Sequence, residues 1–182
     1  MRSVLLFSLA LLVCGFCLAP TLSAGAVIVN AGWYGFCFAG TVGAPITEGC
    51  QNSATAGVVG DPVTFTAAGP VTFEITDAFM QGDMFDVNIN SGAIVFTTST
   101  VPSGSGTVQD PNLAFADPTY SHGSVILGAG SYSVNVTMNT APFGEGAAYL
   151  QVVSSSGTPE PGTLLMLGGG LVAVLLGRRR LS

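Results

Sequence analysis

The residues best suited to acid–base chemistry lie together in residues 117–124. His122 is the only histidine of the chain, Ser121 and Ser124 flank it, and Asp117 precedes Ser121 by four positions. A Ser-His-Asp triad assembles its members from separate segments, and adjacency within one loop does not supply that geometry. The G-x-S-x-G sequence of a nucleophile elbow is also missing from the chain. We therefore expect His122 to be a solvent-exposed turn residue and the protein not to be an enzyme, with a hydrolase as a distant alternative.

Carboxylates form a second group with chemical potential, because hard oxygen ligands suit calcium. Residues 86–90 (DVNIN) resemble the start of a calcium-binding loop, but Ser91 occupies the position at which that loop requires glycine. A calcium site built from Asp77 and Asp83, with backbone carbonyls around Gly82, is therefore the one cofactor candidate. The alternative is that both aspartates cap turns, with their side chains accepting hydrogen bonds from the backbone.

The densest aromatic cluster is a candidate sugar-binding surface. It consists of Trp33, Tyr34, Phe36 and Phe38 in the sequence AGWYGFCFAG. Alternation along a strand places Tyr34, Phe36 and Phe38 on one face and Trp33 with Cys37 on the other, so one set is expected in the core. The alternative is an exposed platform that binds extracellular polysaccharide, although an acidic polysaccharide would be repelled by the charge described next.

The charge distribution argues against several classes of partner. The chain has no lysine, and its four arginines are confined to the terminal segments, at Arg2 and at Arg178, Arg179 and Arg180. Nine of the ten acidic residues lie in the body between them, which therefore carries a formal charge of −9 with His122 neutral. A surface without ammonium or guanidinium groups cannot neutralise phosphates, so we expect no binding of nucleic acid or anionic lipid by this body. Its stability must come from apolar burial, backbone hydrogen bonds and any disulfide.

The cysteines indicate one disulfide. Cys14 and Cys17 lie in the apolar N-terminal run, and only Cys37 and Cys50 remain in the body. An even pair in an exported protein is typical of a disulfide, which at this loop length would stabilise the fold by about 3 kcal/mol. Two buried free thiols are the alternative, and two cysteines without neighbouring histidines are too few ligands for a zinc site.

Apolar residues in the body recur with a period of two, which is typical of half-buried strands. The pattern runs through residues 63–76, where residues 67–70 (AAGP) join two strands, and recurs in residues 85–96, 132–138 and 148–153. In the second stretch Ser91-Gly92 supplies a turn. Glycine and proline interrupt the segments between these stretches every few residues, so no long helix is expected there. The sequence predicts an all-β fold with a single antiparallel β-sandwich.

The topology of that sandwich is less constrained by the sequence. We favour a jelly-roll-like arrangement, because the longer segments 40–60 and 97–124 look like excursions that link two sheets. An immunoglobulin-like arrangement is the alternative.

The N-terminus has the pattern of a secretory signal peptide. Arg2 is followed by an apolar run at residues 4–19 and by small residues at Ala24, Gly25 and Ala26. Cleavage after Ala26 fits the A-x-A rule best, and cleavage after Ala24 is the alternative. We therefore assign residues 1–26 to the signal peptide helix and residues 27–157 to the β-sandwich ectodomain, with signal peptidase and the general secretion machinery as partners.

Residues 158–182 form a tail that suits temporary membrane attachment. The apolar run Thr163–Gly177 has 15 residues, about 22 Å as a helix, whereas a transmembrane helix needs about 20 residues. Three arginines follow it, and by the positive-inside rule Arg178 to Arg180 stay in the cytoplasm. Before the run, Pro159 and Pro161 flank Glu160, so this tripeptide is held extended and cannot join the transmembrane helix.

This tail resembles the PEP-CTERM sorting signal of Gram-negative bacteria. The likeness rests on Pro159, Glu160 and Pro161, the glycine-rich apolar run and the closing arginines. It implies that an exosortase-type membrane enzyme recognises and processes the tail during a transient single-pass stage in the inner membrane. The protein would then reside in the cell envelope or outside the cell.

The body resembles β-rich ectodomains that often precede such a tail. The residues that carry this likeness are in DAFMQGDMFDV (77–87), ADPTYSHGSVILGAGSYSVNV (116–136) and APFGEGAAYLQV (141–152). This second resemblance implies a β-rich fold and no particular activity. The function that we expect is a non-enzymatic structural or adhesive module at the cell surface or in a biofilm matrix. A calcium- or glycan-binding module is the alternative.

Overall fold

The computed structural model describes residues 25–50 and 53–155. Most of the predicted signal peptide, the motif Pro159–Pro161, the predicted transmembrane helix and Arg178–Arg180 lie outside these residues. Within the described ranges, no helix has the length and apolar character needed to cross a membrane.

The described residues form strands and one short helix. The strands are β1 (Tyr34–Phe38), β2 (Gly57–Val58), β3 (Val63–Ala67), β4 (Val71–Asp77), β5 (Phe79–Gln81), β6 (Met84–Ile89), β7 (Ile94–Thr97), β8 (Gly104–Val108), β9 (His122–Leu127), β10 (Gly130–Thr140) and β11 (Gly146–Ser154), and the helix is α1 (Pro111–Ala116).

These strands form two larger sheets and one small one. Sheet I has the order β2-β1-β11-β4-β9, sheet II the order β3-β10-β6-β7, and sheet III pairs β5 with β8. All neighbours run antiparallel except β1 and β2, which are parallel. The predicted all-β class is confirmed, whereas the jelly-roll-like topology stays a prediction.

The alternating apolar residues of sheets I and II meet in one core. Phe36 of β1 packs edge-on against Phe85 of β6, with ring centroids 5.3 Å apart, and thus joins the two sheets. Phe73 of β4 and Phe65 of β3 make a second contact between the sheets, with stacked rings whose centroids are 6.5 Å apart. The period-two pattern therefore marks the inward faces, as expected for strands with one buried side.

One predicted connection crosses between the sheets, and another turns at a different position than expected. Strands β3 and β4, which residues 68–70 join, lie in different sheets, so this short segment crosses from sheet II to sheet I. The hairpin between β6 and β7 turns one residue earlier than expected, with Asn90 and Ser91 both at positive φ and Gly92 N–H donating to Ile89 O at 3.1 Å. Asparagine tolerates this left-handed conformation, which suits the twist of a two-residue hairpin turn.

Strand β8 was not predicted at all. Its sequence, GSGTV, has no apolar alternation, and most of its residues are exposed. Backbone pairing with β5 forms it, together with Tyr120, whose hydroxyl accepts from Val108 N–H at 2.9 Å and donates to Phe79 O at 3.1 Å.

The short helix α1 covers a second, smaller hydrophobic cluster. Asp110 caps its N-terminus by accepting from Asn112 N–H at 2.8 Å, and Pro111 begins the helix, where its missing N–H costs nothing. The cluster consists of Trp33, Ala78, Ala114, Tyr120 and Tyr149. Trp33 is also held by its indole N–H, which donates to Asn112 Oδ1 at 3.0 Å.

The predicted disulfide between Cys37 and Cys50 is present. It ties the end of β1 to the segment that leads to β2. The two cysteines are 13 residues apart in sequence, so the cross-link restricts the unfolded chain by an amount equivalent to about 3 kcal/mol of stability.

The first described residues add to the edge of sheet II. Thr64 N–H of β3 donates to Gly25 O at 2.8 Å, and Val27 N–H donates to Thr64 O at 2.9 Å. The Val27 side chain belongs to the main core. Residues 25–27 are thus built into the folded body.

Candidate functional site

The aromatic cluster does not form the exposed sugar platform considered from the sequence. Tyr34, Phe36 and Phe38 point into the main core, and Trp33 points into the smaller cluster under α1. All four side chains are at most 5% exposed. The alternation argument was right about the two faces of β1, but sheet II covers one face and α1 with its neighbouring loops covers the other.

Ser121 and His122 are not arranged as a nucleophile and its base. The Ser121 hydroxyl is buried and donates to Ser99 O at 2.6 Å. Nδ1 of His122 lies 2.8 Å from Tyr120 O, and the ring packs beside Phe115 at 5.3 Å. His122 is also half-buried at the start of β9 rather than in an exposed turn, because residues 122–127 pair with β4.

The other two members of the suggested set are equally separate. Asp117 accepts from the backbone N–H and the hydroxyl of Thr119 at 2.9 and 2.7 Å, and these bonds lower the pKa of its carboxyl. Ser124 lies exposed within β9. Asp117 therefore stabilises its own turn.

Asp77 lies at the centre of a network of buried hydrogen bonds in the body. It ends β4, and the loop of residues 78–83 wraps around its buried carboxylate. Oδ1 accepts from Ala78 N–H at 2.7 Å, and Oδ2 accepts from Gly82 N–H and Asp83 N–H, both at 3.1 Å. Asp77 thus makes the turn-capping contacts that the sequence offered as the alternative to a metal site.

Gly82 is required for this wrapping. Its φ of +122° is rarely adopted by other residues, and a Cβ at this position would lie 2.9 Å from Ser103 Cα. The loop can therefore bring two consecutive N–H groups onto one carboxylate oxygen only with glycine here.

A chain of hydroxyl groups holds the neighbouring loop against the Asp77 loop. Phe85 N–H donates to Thr98 Oγ1 at 3.0 Å, and Thr98 Oγ1 lies 2.6 Å from Ser121 Oγ. Because Ser121 uses its proton for Ser99 O, Thr98 must be the donor between the two hydroxyls. Ser121 O in turn accepts from Asp77 N–H at 2.7 Å. Thr98 had no signal in the sequence, since TTST at 97–100 reads as an ordinary polar loop.

Burial makes the two aspartates of this loop weak acids. Desolvation, followed by the negative charge of Asp83, raises the pKa of Asp77 to about 8, although its three N–H donors act in the opposite direction. Desolvation raises the pKa of Asp83 to about 6. Oδ1 of Asp83 is buried and has no hydrogen-bond partner among the described residues.

A cleft of about 420 Å³ lies between this loop and the disulfide. Its lining includes Phe38, Phe79, Phe143, Asp83, Glu145 and the Cys37–Cys50 bridge. The cleft is mainly apolar with carboxylates at its border. Within the described ranges, no group of three or more histidine, cysteine, aspartate or glutamate side chains is placed to hold a metal ion, so the calcium site at Asp77 and Asp83 stays a prediction.

Comparison with known proteins concerns the C-terminal segment. Residues 158–180 match a family model described as the PEP-CTERM protein-sorting motif. The chain carries a PEP-CTERM sorting motif. The matched range contains Pro159, Glu160 and Pro161 together with Arg178–Arg180, so the resemblance inferred from these residues is confirmed. No curated protein and no solved structure matches the chain.

The PEP-CTERM motif indicates export and processing at the cell envelope. Proteins with this motif are sorted to the cell surface and processed by exosortase, a membrane enzyme. The match covers the tail alone. It therefore carries no information about the activity of the body between residues 25 and 155.

The raised pKa values predict that the folded protein loses stability as pH rises. Both aspartates favour the neutral form when folded, so their stabilising effect is complete below the unfolded pKa of about 3.8 and disappears as pH passes about 6 for Asp83 and about 8 for Asp77. We expect a lower melting temperature at pH 8 than at pH 5. Asp83→Asn should raise the melting temperature at pH 8 and flatten this dependence.

Asp110→Asn is the matched control, because asparagine can also cap α1 and the residue is exposed. It should leave the pH profile unchanged. A melting temperature that is higher at pH 8 than at pH 5 would contradict the assignment, as would an unchanged profile in Asp83→Asn.

Proposed function

We propose that this protein is an exported, non-enzymatic structural or adhesive module that exosortase releases from the inner membrane into the envelope or extracellular matrix. The observation that carries the proposal is the PEP-CTERM motif at residues 158–180. A body whose polar groups are engaged in turns and loops, without a serine–histidine pair in the described ranges, supports a structural role over a catalytic one.

The stability of the body fits a module that persists outside the cell. Its two sheets share one core, and the Cys37–Cys50 disulfide ties β1 to the segment that leads to β2. The exposed polar positions on the strands carry serine and threonine rather than charged residues.

The composition of the tail supports release rather than permanent anchoring. Its apolar run of 15 residues contains three consecutive glycines, Gly168 to Gly170, and each glycine weakens a helix by about 1 kcal/mol relative to alanine. Arginine side chains can extend to the lipid headgroups and so compensate for the short span. Next to it, Pro159 and Pro161 restrict the backbone on both sides of Glu160 and disfavour a helix there, which would leave this segment accessible to a processing enzyme.

We predict that Pro159→Ala with Pro161→Ala blocks processing. In a host with exosortase, the unaltered protein should lose the residues after the motif, whereas the double variant should stay in the inner membrane with Arg178–Arg180 attached. Mass spectrometry of both proteins would measure this difference. Pro118→Ala, at an exposed proline of the body, is the control and should be processed normally. Unaltered mature protein that still carries the three arginines would disprove the proposal.

A second candidate function is calcium binding at the Asp77 loop. The observation in its favour is Oδ1 of Asp83, a buried acceptor without a partner in the described ranges and close to a second buried carboxylate. A divalent cation would neutralise both carboxylates, for which the body has no lysine or arginine.

Melting experiments distinguish this second candidate from turn capping. If calcium binds, millimolar calcium should raise the melting temperature relative to chelator at pH 8, where both carboxyls can ionise, and Asp83→Asn should abolish the increase. Magnesium is the control, since it demands a more rigid octahedral site. Equal melting temperatures with calcium and with chelator would remove calcium binding from consideration.

A further inference from the structure

The contacts of residues 25–27 identify where the mature chain begins. We propose that signal peptidase cuts between Ala24 and Gly25, and not after Ala26 as the A-x-A pattern favours. This inference rests on the export that the sorting motif indicates, and its structural basis is independent of the tail.

Gly25 has a specific place in the fold. Its φ is +100°, and a Cβ at this position would lie 2.2 Å from Pro62 O. No other residue fits such a position. A cut after Ala26 would remove Gly25, although only glycine fits this close contact with Pro62 O.

The hydrogen bonds lead to the same conclusion. At the edge of β3, Thr64 N–H donates to Gly25 O, and Thr64 O accepts from Val27 N–H. A cut directly before Gly25 leaves both bonds intact. A cut after Ala26 would remove the acceptor of Thr64 N–H and turn the Val27 amide into a charged N-terminus beside the core.

The N-terminal peptide of the exported protein tests this proposal by mass spectrometry. It should begin at Gly25, and Ala26→Gln should not change this, because Ala24 still supplies the small residue before the cut. Ala24→Gln is the matched variant and should prevent cleavage. An N-terminus at Val27, a block by Ala26→Gln, or an uncleaved leader in the unaltered protein would each overturn the proposal.

A separate observation concerns the end of the body from which the chain continues to the tail. Ser155 is the last described residue, and it is fixed by its N–H, which donates to Pro70 O at 3.0 Å, and by its hydroxyl, 2.9 Å from Thr72 Oγ1. Only residues 156–158 separate it from Pro159. Whatever path they take, the bracket lies within about 14 Å of Ser155, given the maximum reach of a chain.

This exit end is free of charged side chains. It is formed by the connections at residues 28–32, 68–70 and 128–129, none of which contains an acidic residue, although the body carries nine. The closest acid along the strands at this end is Glu74, three residues beyond Val71, or about 10 Å away. Two large apolar side chains near this end are well exposed, Ile28 at 63% and Ile126 at 72%.

We infer that the exit end faces the inner membrane while the tail is processed. This inference rests on the proposed function. The short connection brings the exit end close to the bilayer, where a carboxylate would be repelled by every anionic headgroup within a Debye length of about 8 Å. With the nine acids placed elsewhere, the body can approach the membrane closely enough for the bracket to reach a membrane-embedded enzyme.

New carboxylates at the exit end test this inference. A Cβ at Gly69 or Gly128 would have no heavy atom within 4 Å, and neither glycine has a positive φ, so both positions can carry a side chain. Gly69→Asp with Gly128→Asp should slow tail removal several-fold in a pulse-chase experiment, and a flexible Gly-Ser linker inserted after Ser155 should restore the rate. Gly69→Asn with Gly128→Asn is the uncharged control.

A second control places acids at the opposite end, with Thr41→Asp and Val42→Asp in an exposed turn. Both controls should be processed at the unaltered rate. Equal rates for the Asp pair and the Asn pair would overturn the inference about orientation. Normal processing of Pro159→Ala with Pro161→Ala would instead disprove the proposed function, so the two failures can be told apart.

Discussion

The body of this protein has to fold without a single lysine or arginine side chain. A buried carboxylate in such a body depends on uncharged hydrogen-bond donors, and Asp77 is surrounded by three backbone N–H donors for this reason. The loop that supplies these donors leads from sheet I to sheet II through β5, so the position of Asp77 also determines where β6 begins. Burying a charge costs far more than burying a neutral group, which explains why the carboxyl favours its protonated form despite the three donors.

The sequence predicted the strands better than their arrangement. Period-two patterns at residues 71–75 and 134–138 identify inward faces because each strand has one buried side, a local property. The sheet to which a strand belongs is not local, and the AAGP segment at residues 67–70 would serve equally for a hairpin or for the crossing that the structure shows. Strand β8 had no pattern to detect, since its five residues are held by backbone pairing and by Tyr120.

The buried hydrogen bonds around Asp77 were also difficult to predict, because they depend on contacts between distant parts of the sequence. The sequence identified Asp77 and Asp83 as a pair and offered turn capping for both, and the structure places three amide donors on Asp77. Thr98 could not be found, and Ser121 was considered only as part of a catalytic set, because the burial of both depends on two loops that are apart in sequence and meet at the end of β4. The disulfide, by contrast, followed from counting cysteines, and the sorting motif followed from the order of its residues alone.

The two ends of the body are built so that both terminal segments can be removed. At the start, the edge of β3 needs nothing before Gly25, and Val27 already contributes to the core. At the C-terminal end of the described residues, Ser155 N–H donates to Pro70 O, and the motif begins only a few residues later. The contacts of the core that the described residues make all lie between these two points. The sorting motif indicates processing at the envelope, and a core built within residues 25–155 suits the removal of the segments on either side that we propose.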